Sequence, residues 1–153
     1  MAALFTLLPE AVGAIRADSK PAILGQLADR FAAVYALDRS DVLAKLQERE
    51  KLGSTGFGRG VAIPHARLSG VNRPVAALLR LEAPVAFDAA DGRPVDIVFG
   101  LLSPEHAGAT HLHALAAISR MMRDEEMHAA LIQAPGPEAI YGLLCNVIDR
   151  DAA

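Results

Sequence analysis

Gly53-Ser54-Thr55-Gly56-Phe57-Gly58-Arg59-Gly60-Val61-Ala62-Ile63-Pro64-His65 is a glycine-dense loop that enters a short extended run and stops on proline and histidine. Upstream of it the pattern is helical. Asp18 and Ser19 can cap a helix opening at Lys20-Pro21, where a proline's missing N–H costs nothing, and Ile23, Leu24, Leu27, Phe31 and Val34 follow at helical spacing. Ser40 or Asp41 can cap a second helix, whose stripe of Val42, Leu43 and Leu46 runs out at Arg49-Glu50-Lys51. Residues 11–17 read as a strand anchored by Val12 and Ile15. Downstream, residues 75–81 and 95–102 read as buried strands, with a turn at Asp91-Gly92 between Phe87 and Pro94. Helical patterns at 110–122, 125–132 and 138–148 close the chain, Gly136-Pro137 marking the break before the last. Helices on either side of central strands, with no linker tract between them, make the expected class an α/β sandwich. These patterns leave strand pairing open.

Composition narrows the function. The chain has 153 residues, 52% hydrophobic and 22% charged, with a mean hydropathy of +0.27, so it has ample apolar surface to offset chain entropy in one domain. Fifteen Lys and Arg against eighteen Asp and Glu give a formal charge of −3, and no basic run appears, which argues against a nucleic-acid binder held by phosphate contacts. A single cysteine, Cys145, excludes an internal disulfide framework and a multi-cysteine zinc site, and fits a reducing compartment. The first ten residues have no basic region ahead of their short apolar stretch, so no secretory signal is expected, and no apolar run approaches the ~20 residues that span a bilayer. A cytoplasmic location without membrane insertion is the expectation.

Imidazole is the most versatile reactive group in the chain, which carries His65, His106, His111, His113 and His128. His128, among Asp124, Glu125 and Glu126, reads as a solvated surface residue, and so does His106 in its loop. His111 and His113 form an H-x-H pair, but on a helix they point about 200° apart and cannot share one ion from the same turn. No metal site is expected. His111 lies on the stripe of Leu115, Ile118 and Met122 and should look inward from a first turn, whereas His113 faces solvent. Period-2 alternation would put Val61, Ile63 and His65 on one face, with the imidazole at the rim of the core. His65 is then either a hydrogen-bonded structural histidine or a reactive one. The glycines favour the second reading, since they let backbone approach a ligand and aim bare N–H groups at an anion. The loop is no nucleotide fingerprint, because it follows a helix and enters a strand, and it lacks a Gly-Lys-Ser/Thr ending. Nor is there a G-x-S-x-G nucleophile elbow.

Arg49-Glu50 followed by the run from Ser54 to His65 resembles the phosphorylation segment of enzyme IIA proteins of the bacterial phosphotransferase system, fructose/mannitol type, including its nitrogen-regulatory branch. Phe87-Asp88-Ala89-Ala90-Asp91-Gly92-Arg93-Pro94-Val95-Asp96 resembles that family's central hairpin. His111-Leu112-His113-Ala114-Leu115-Ala116-Ala117-Ile118-Ser119 resembles its helix bearing a second site histidine. The match spans nearly the whole chain in order. It departs at Ala66-Arg67, where a glycine commonly follows the histidine, and this brings a positive charge near the site.

The resemblance implies one domain over residues 1–153 with a central mixed β-sheet flanked by helices. It also implies a phosphorelay in which His65 accepts a phosphoryl group from a histidine-phosphocarrier protein, with no cofactor, metal or nucleotide. His111 would stabilise the phosphoryl group as a neutral hydrogen-bond donor, with Arg49 supporting it and Thr55 positioning the His65 ring. Phosphorylation would regulate target proteins, adding charge at a rim flanked by Arg59 and Arg67; the 87–95 block looks more like the regulatory branch. The alternatives are a sugar-transport IIA passing phosphate to a IIB domain, and a non-catalytic binding module of the same fold. With the chain closing at Ala153, no fused carrier, IIB or membrane segment is expected.

Overall fold

The fold was described from a computed structural model, which covers residues 4–152; the start of the N-terminal reading, residues 1–3, and Ala153 lie outside it. Among the described residues six strands form one sheet: β1 (Val12–Ile15), β2 (Gly56–Gly58), β3 (Val61–Ala62), β4 (His65–Leu68), β5 (Val75–Val85) and β6 (Val95–Pro104). Their order is β1-β5-β6-β3-β2, with β4 also on β6. β1 runs parallel to β5, and β5 antiparallel to β6, so the sheet is mixed. β5 and β6 read as near-continuous apolar runs because both faces are covered.

Five helices surround it: α1 (Lys20–Tyr35), α2 (Arg39–Lys51), α3 (Ala109–Arg123), α4 (Glu125–Gln133) and α5 (Pro137–Ala152). α1 lies so close to one face that a Cβ at Gly100 would meet Leu27 and Phe31 at 2.9 Å. α3 and α4 lie on the other face, where Arg80 donates to the carbonyls of Leu131 and Ala134 at the end of α4, at 3.0 and 2.6 Å. Ser19 caps α1, its hydroxyl accepting from the Ala22 N–H. The second cap is Asp38, not Ser40 or Asp41: its carboxylate accepts from the Asp41 N–H at 3.0 Å, so both expected caps sit inside the first turn of α2. That helix therefore begins two or three residues earlier than those caps would place it.

β2 and β4 carry no apolar alternation and went unread. β3 and β4 are two pieces of one line, both parallel to β6, with Val61 opposite Ile97 and His65 opposite Leu101. They part at Ile63-Pro64, because Pro64 has no N–H for the ladder. The Ile63 N–H turns instead to the Thr55 carbonyl at 3.0 Å. This break frees the Ile63 carbonyl just before His65.

Candidate functional site

His65 opens β4 at the edge of the core, half-buried as its place at the rim predicted. Its Nδ1 lies 2.7 Å from the Ile63 carbonyl and its Nε2 3.3 Å from Nε of Arg49. A carbonyl only accepts and a guanidinium only donates, so both contacts require the same tautomer, with the proton on Nδ1 and the lone pair on Nε2. Burial above all, then the charges of Arg49 and Arg67, holds this imidazole below the ordinary histidine range, against the opposing Ile63 carbonyl and Glu50 carboxylate. His65 is thus a neutral ring whose Nε2 keeps its lone pair, toward which Arg49 donates at long range.

Arg49 comes from the last turn of α2 and is anchored by a 2.8 Å bond from its Nη1 to the Gly53 carbonyl. Gly53 ends that turn at φ +143°, a conformation that favours glycine. Thr55 is buried and does not touch the His65 ring. Its N–H and hydroxyl both go to the Glu50 carboxylate, which in turn pairs with Lys20 at 2.9 Å in a nearly dry setting. Thr55 reaches His65 through backbone: its carbonyl holds the Ile63 N–H, and the Ile63 carbonyl holds the ring. Glu50 is therefore part of the support, and its place beside Arg49 in the sequence was the available signal.

His111 sits in the first turn of α3, buried, its ring centroid 5.7 Å from that of His65. Its Nδ1 lies 2.7 Å from the hydroxyl of Ser103, itself fully buried at the end of β6. Desolvation above all, helped by the positive charge of Arg67, lowers its pKa to about 4. An unfolded chain would bind the proton that folded His111 refuses. Stability from this residue is therefore complete above its ordinary value of 6.5 and is lost as pH falls through about 4. The expected size is at most about 3 kcal/mol. In urea melts between pH 7 and pH 4.5, His111→Gln should fall less steeply than the parent protein; equal slopes would refute this.

The two histidines share an open depression of about 400 Å³ with Lys45, Glu48, Arg49, Arg67 and the apolar side chains of Leu52, Leu112 and Leu115. Leu52 is 82% exposed and Leu112 58%, so the rim is apolar as well as basic. Arg59 is elsewhere: its guanidinium reaches the Arg123 carbonyl and Glu125, so only Arg67 of the two expected rim arginines stands here.

The glycines do a different job from the one their pattern suggested. A Cβ on Gly56 would meet Ala89 at 2.9 Å, and one on Gly60 would meet Asp96 at 3.0 Å and His128 at 3.2 Å. The Arg59 N–H is already bonded to Asp91, at 2.9 Å. The loop is glycine-rich because it packs closely on the β5–β6 connection, β6 and α4, and its carbonyls at Gly56 and Gly60 accept from the Ala90 and Asp96 N–H groups at 3.0 and 2.9 Å. His128 is corrected by the same packing: it is half-buried and bonds Asp96 at 2.8 Å. His106 and His113 are exposed, as expected. Among the described residues, no group of three or more His, Cys, Asp or Glu side chains is placed to hold a metal ion.

The family model for the phosphoenolpyruvate-dependent sugar phosphotransferase system, EIIA 2, matches residues 10–147. The chain belongs to this EIIA family. It is 46% identical over 130 residues to the nitrogen regulatory protein of Pseudomonas aeruginosa, a match covering 84% of each chain. It also resembles the crystal structure of nitrogen regulatory protein IIA-Ntr from Neisseria meningitidis, with a TM-score of 0.84 at 35% identity, covering 90% of this chain and 95% of that one. The fold is shared with enzyme IIA of mannitol from Escherichia coli, solved in complex with phosphorylated enzyme IIB, at a TM-score of 0.75 and 17% identity, covering 93% of this chain and 99% of that one. The mixed α/β architecture is thus the EIIA fold. Among the described residues no helix of this EIIA protein is long and apolar enough to cross a membrane.

Proposed function

We propose that this protein is a phosphorelay component in which Nε2 of His65 accepts a phosphoryl group from a phosphohistidine on a carrier protein, and that the phosphorylated and free forms engage regulatory targets differently. The observation that carries this reading is the His65 tautomer. Two opposed contacts leave a neutral lone pair on Nε2, at the floor of an open depression and beside a guanidinium. A nucleophilic nitrogen needs that state, and a nitrogen so placed can be reached by a partner's side chain in line.

As the new P–Nε2 bond forms, the donor's P–N bond breaks and its electron pair leaves with the donor imidazole. The proton on Nδ1 stays, and the Ile63 carbonyl that accepts it offsets the positive character the ring gains. Arg49 and His111 are the donors beside the incoming phosphoryl oxygens. The residues present suffice for this chemistry without a cofactor. Lys45, Arg49 and Arg67 favour approach of an anionic phosphorylated carrier, while Leu52 and Leu112 give it apolar surface.

Phosphorylation adds about −1.5 to −2 charges to this small rim, where Lys45, Arg49 and Arg67 outweigh Glu48, and so cancels most of its positive charge. A partner that docks on the basic, apolar rim would bind the free form in preference, a tenfold difference needing only about 1.4 kcal/mol. The nitrogen regulatory relatives favour this regulatory reading over transport. Transfer to a IIB domain is the second reading, favoured by the mannitol IIA–IIB complex of the same fold. Phosphorylated carrier protein should label this chain on one histidine, and NMR should place the phosphorus on the ring nitrogen remote from the Cβ. Binding of cell-extract partners to the two forms is then compared with transfer to a sugar-specific IIB domain. No label, or label on Nδ1, overturns the relay mechanism; efficient transfer to IIB with no phosphorylation-dependent partner overturns regulation.

A further inference from the structure

Ser103 stands at the end of a strand whose neighbours are apolar, and it is one of only three buried polar side chains among the described residues, with Thr55 and His111. Its hydroxyl has a single hydrogen-bond partner, Nδ1 of His111 at 2.7 Å. A hydroxyl both donates and accepts, so the contact alone allows two arrangements. If Nδ1 carried the proton, Ser103 would accept it and its own O–H would point into the dry interior unpaired, at a cost of about 1–3 kcal/mol. If Ser103 donates instead, every polar hydrogen at this pair is used. The imidazole then carries its proton on Nε2, the nitrogen left for the depression that His111 lines with His65.

We propose that Ser103 is a positioning residue that fixes His111 as an Nε2–H donor toward the phosphoryl group on His65. The two histidines are then held in opposite tautomers by opposite partners. The Ile63 carbonyl accepts from Nδ1 of His65 and leaves a lone pair outside, whereas the Ser103 hydroxyl donates to Nδ1 of His111 and leaves a proton outside. One ring is set to attack and the other to donate. The proton on Nε2 follows from the Ser103 contact together with the burial of its hydroxyl, while the role in transfer rests on the relay reading above.

The test combines nitrogen-15 NMR of the histidine rings with transfer kinetics. In the parent protein His111 should show a protonated Nε2 and a hydrogen-bonded, unprotonated Nδ1. Ser103→Ala should remain folded by its amide spectrum, lose the signature of one fixed tautomer, and accept phosphoryl about fivefold more slowly, the loss of one hydrogen bond of ~1 kcal/mol. Ser103→Thr, which keeps the hydroxyl, should restore both. A proton on Nδ1 of His111 in the parent protein, or unchanged His111 nitrogen shifts in Ser103→Ala, overturns the proposal. A changed tautomer with an unchanged transfer rate overturns the role in transfer. If the parent protein takes up no phosphoryl group at all, the relay reading fails, and the NMR arm still decides what Ser103 does to His111.

Discussion

The His65→Ala variant is expected to take up no phosphoryl label from a phosphorylated histidine carrier, whereas the parent chain is labelled to about one phosphoryl per molecule. The expectation rests on the separation of the five histidines by environment. His106 and His113 are exposed, with no carbonyl or cation fixing their tautomers, and His128 is engaged with Asp96. On the proposed tautomer, His111 keeps its second nitrogen as a donor and has no lone pair there to attack with. Only His65 combines a neutral ring, a fixed lone pair and an open approach. The variant should fold, since the side chain is half-buried and its hydrogen bonds are only those with Ile63 and Arg49. Label on parent protein should be lost in acid and kept in base, as for a phosphoramidate. Residual labelling of a folded His65→Ala protein, or acid-stable label, would show that another group carries the phosphoryl.

The second large effect is expected from His111→Ala, where transfer should slow by roughly 10²–10³ with little change in carrier binding, by analogy with the loss of one oxyanion donor. The reasoning is that His111 contributes nothing to the nucleophile and lies at the floor of the depression rather than at its apolar rim. It gives one N–H where charge gathers. Although the residue sits in a first helical turn, the variant will not be neutral in stability, because it orphans the buried Ser103 hydroxyl, at about 1–3 kcal/mol. Single-turnover kinetics on protein shown to be folded separates the two consequences. Transfer at the parent rate would make His111 a structural histidine only.

Helix and strand periodicity already gave the helices, the two long strands and the class of the fold, because these elements bury one face or both and repeat apolar residues accordingly. The burial of His111 followed from the same stripe, and the rim position of His65 from alternation along a run of only three residues. Short strands lack this signal: β2 is Gly-Phe-Gly and β4 opens on His65, so neither repeats an apolar pattern. The glycine loop was misread for a physical reason. A small residue permits close approach, but the sequence does not say whether a ligand or the chain's own backbone approaches, and here it is Ala89 and Asp96. Likewise Arg59 and Arg67 look equivalent in sequence, yet only tertiary contacts send one to α4 and leave the other at the site. What the chain alone settled is which residues can do imidazole chemistry and which face the core. Which nitrogen of each histidine holds the proton was decided in three dimensions, by a carbonyl released at Pro64 and a hydroxyl eight residues before His111, because a tautomer depends on the partner across the hydrogen bond.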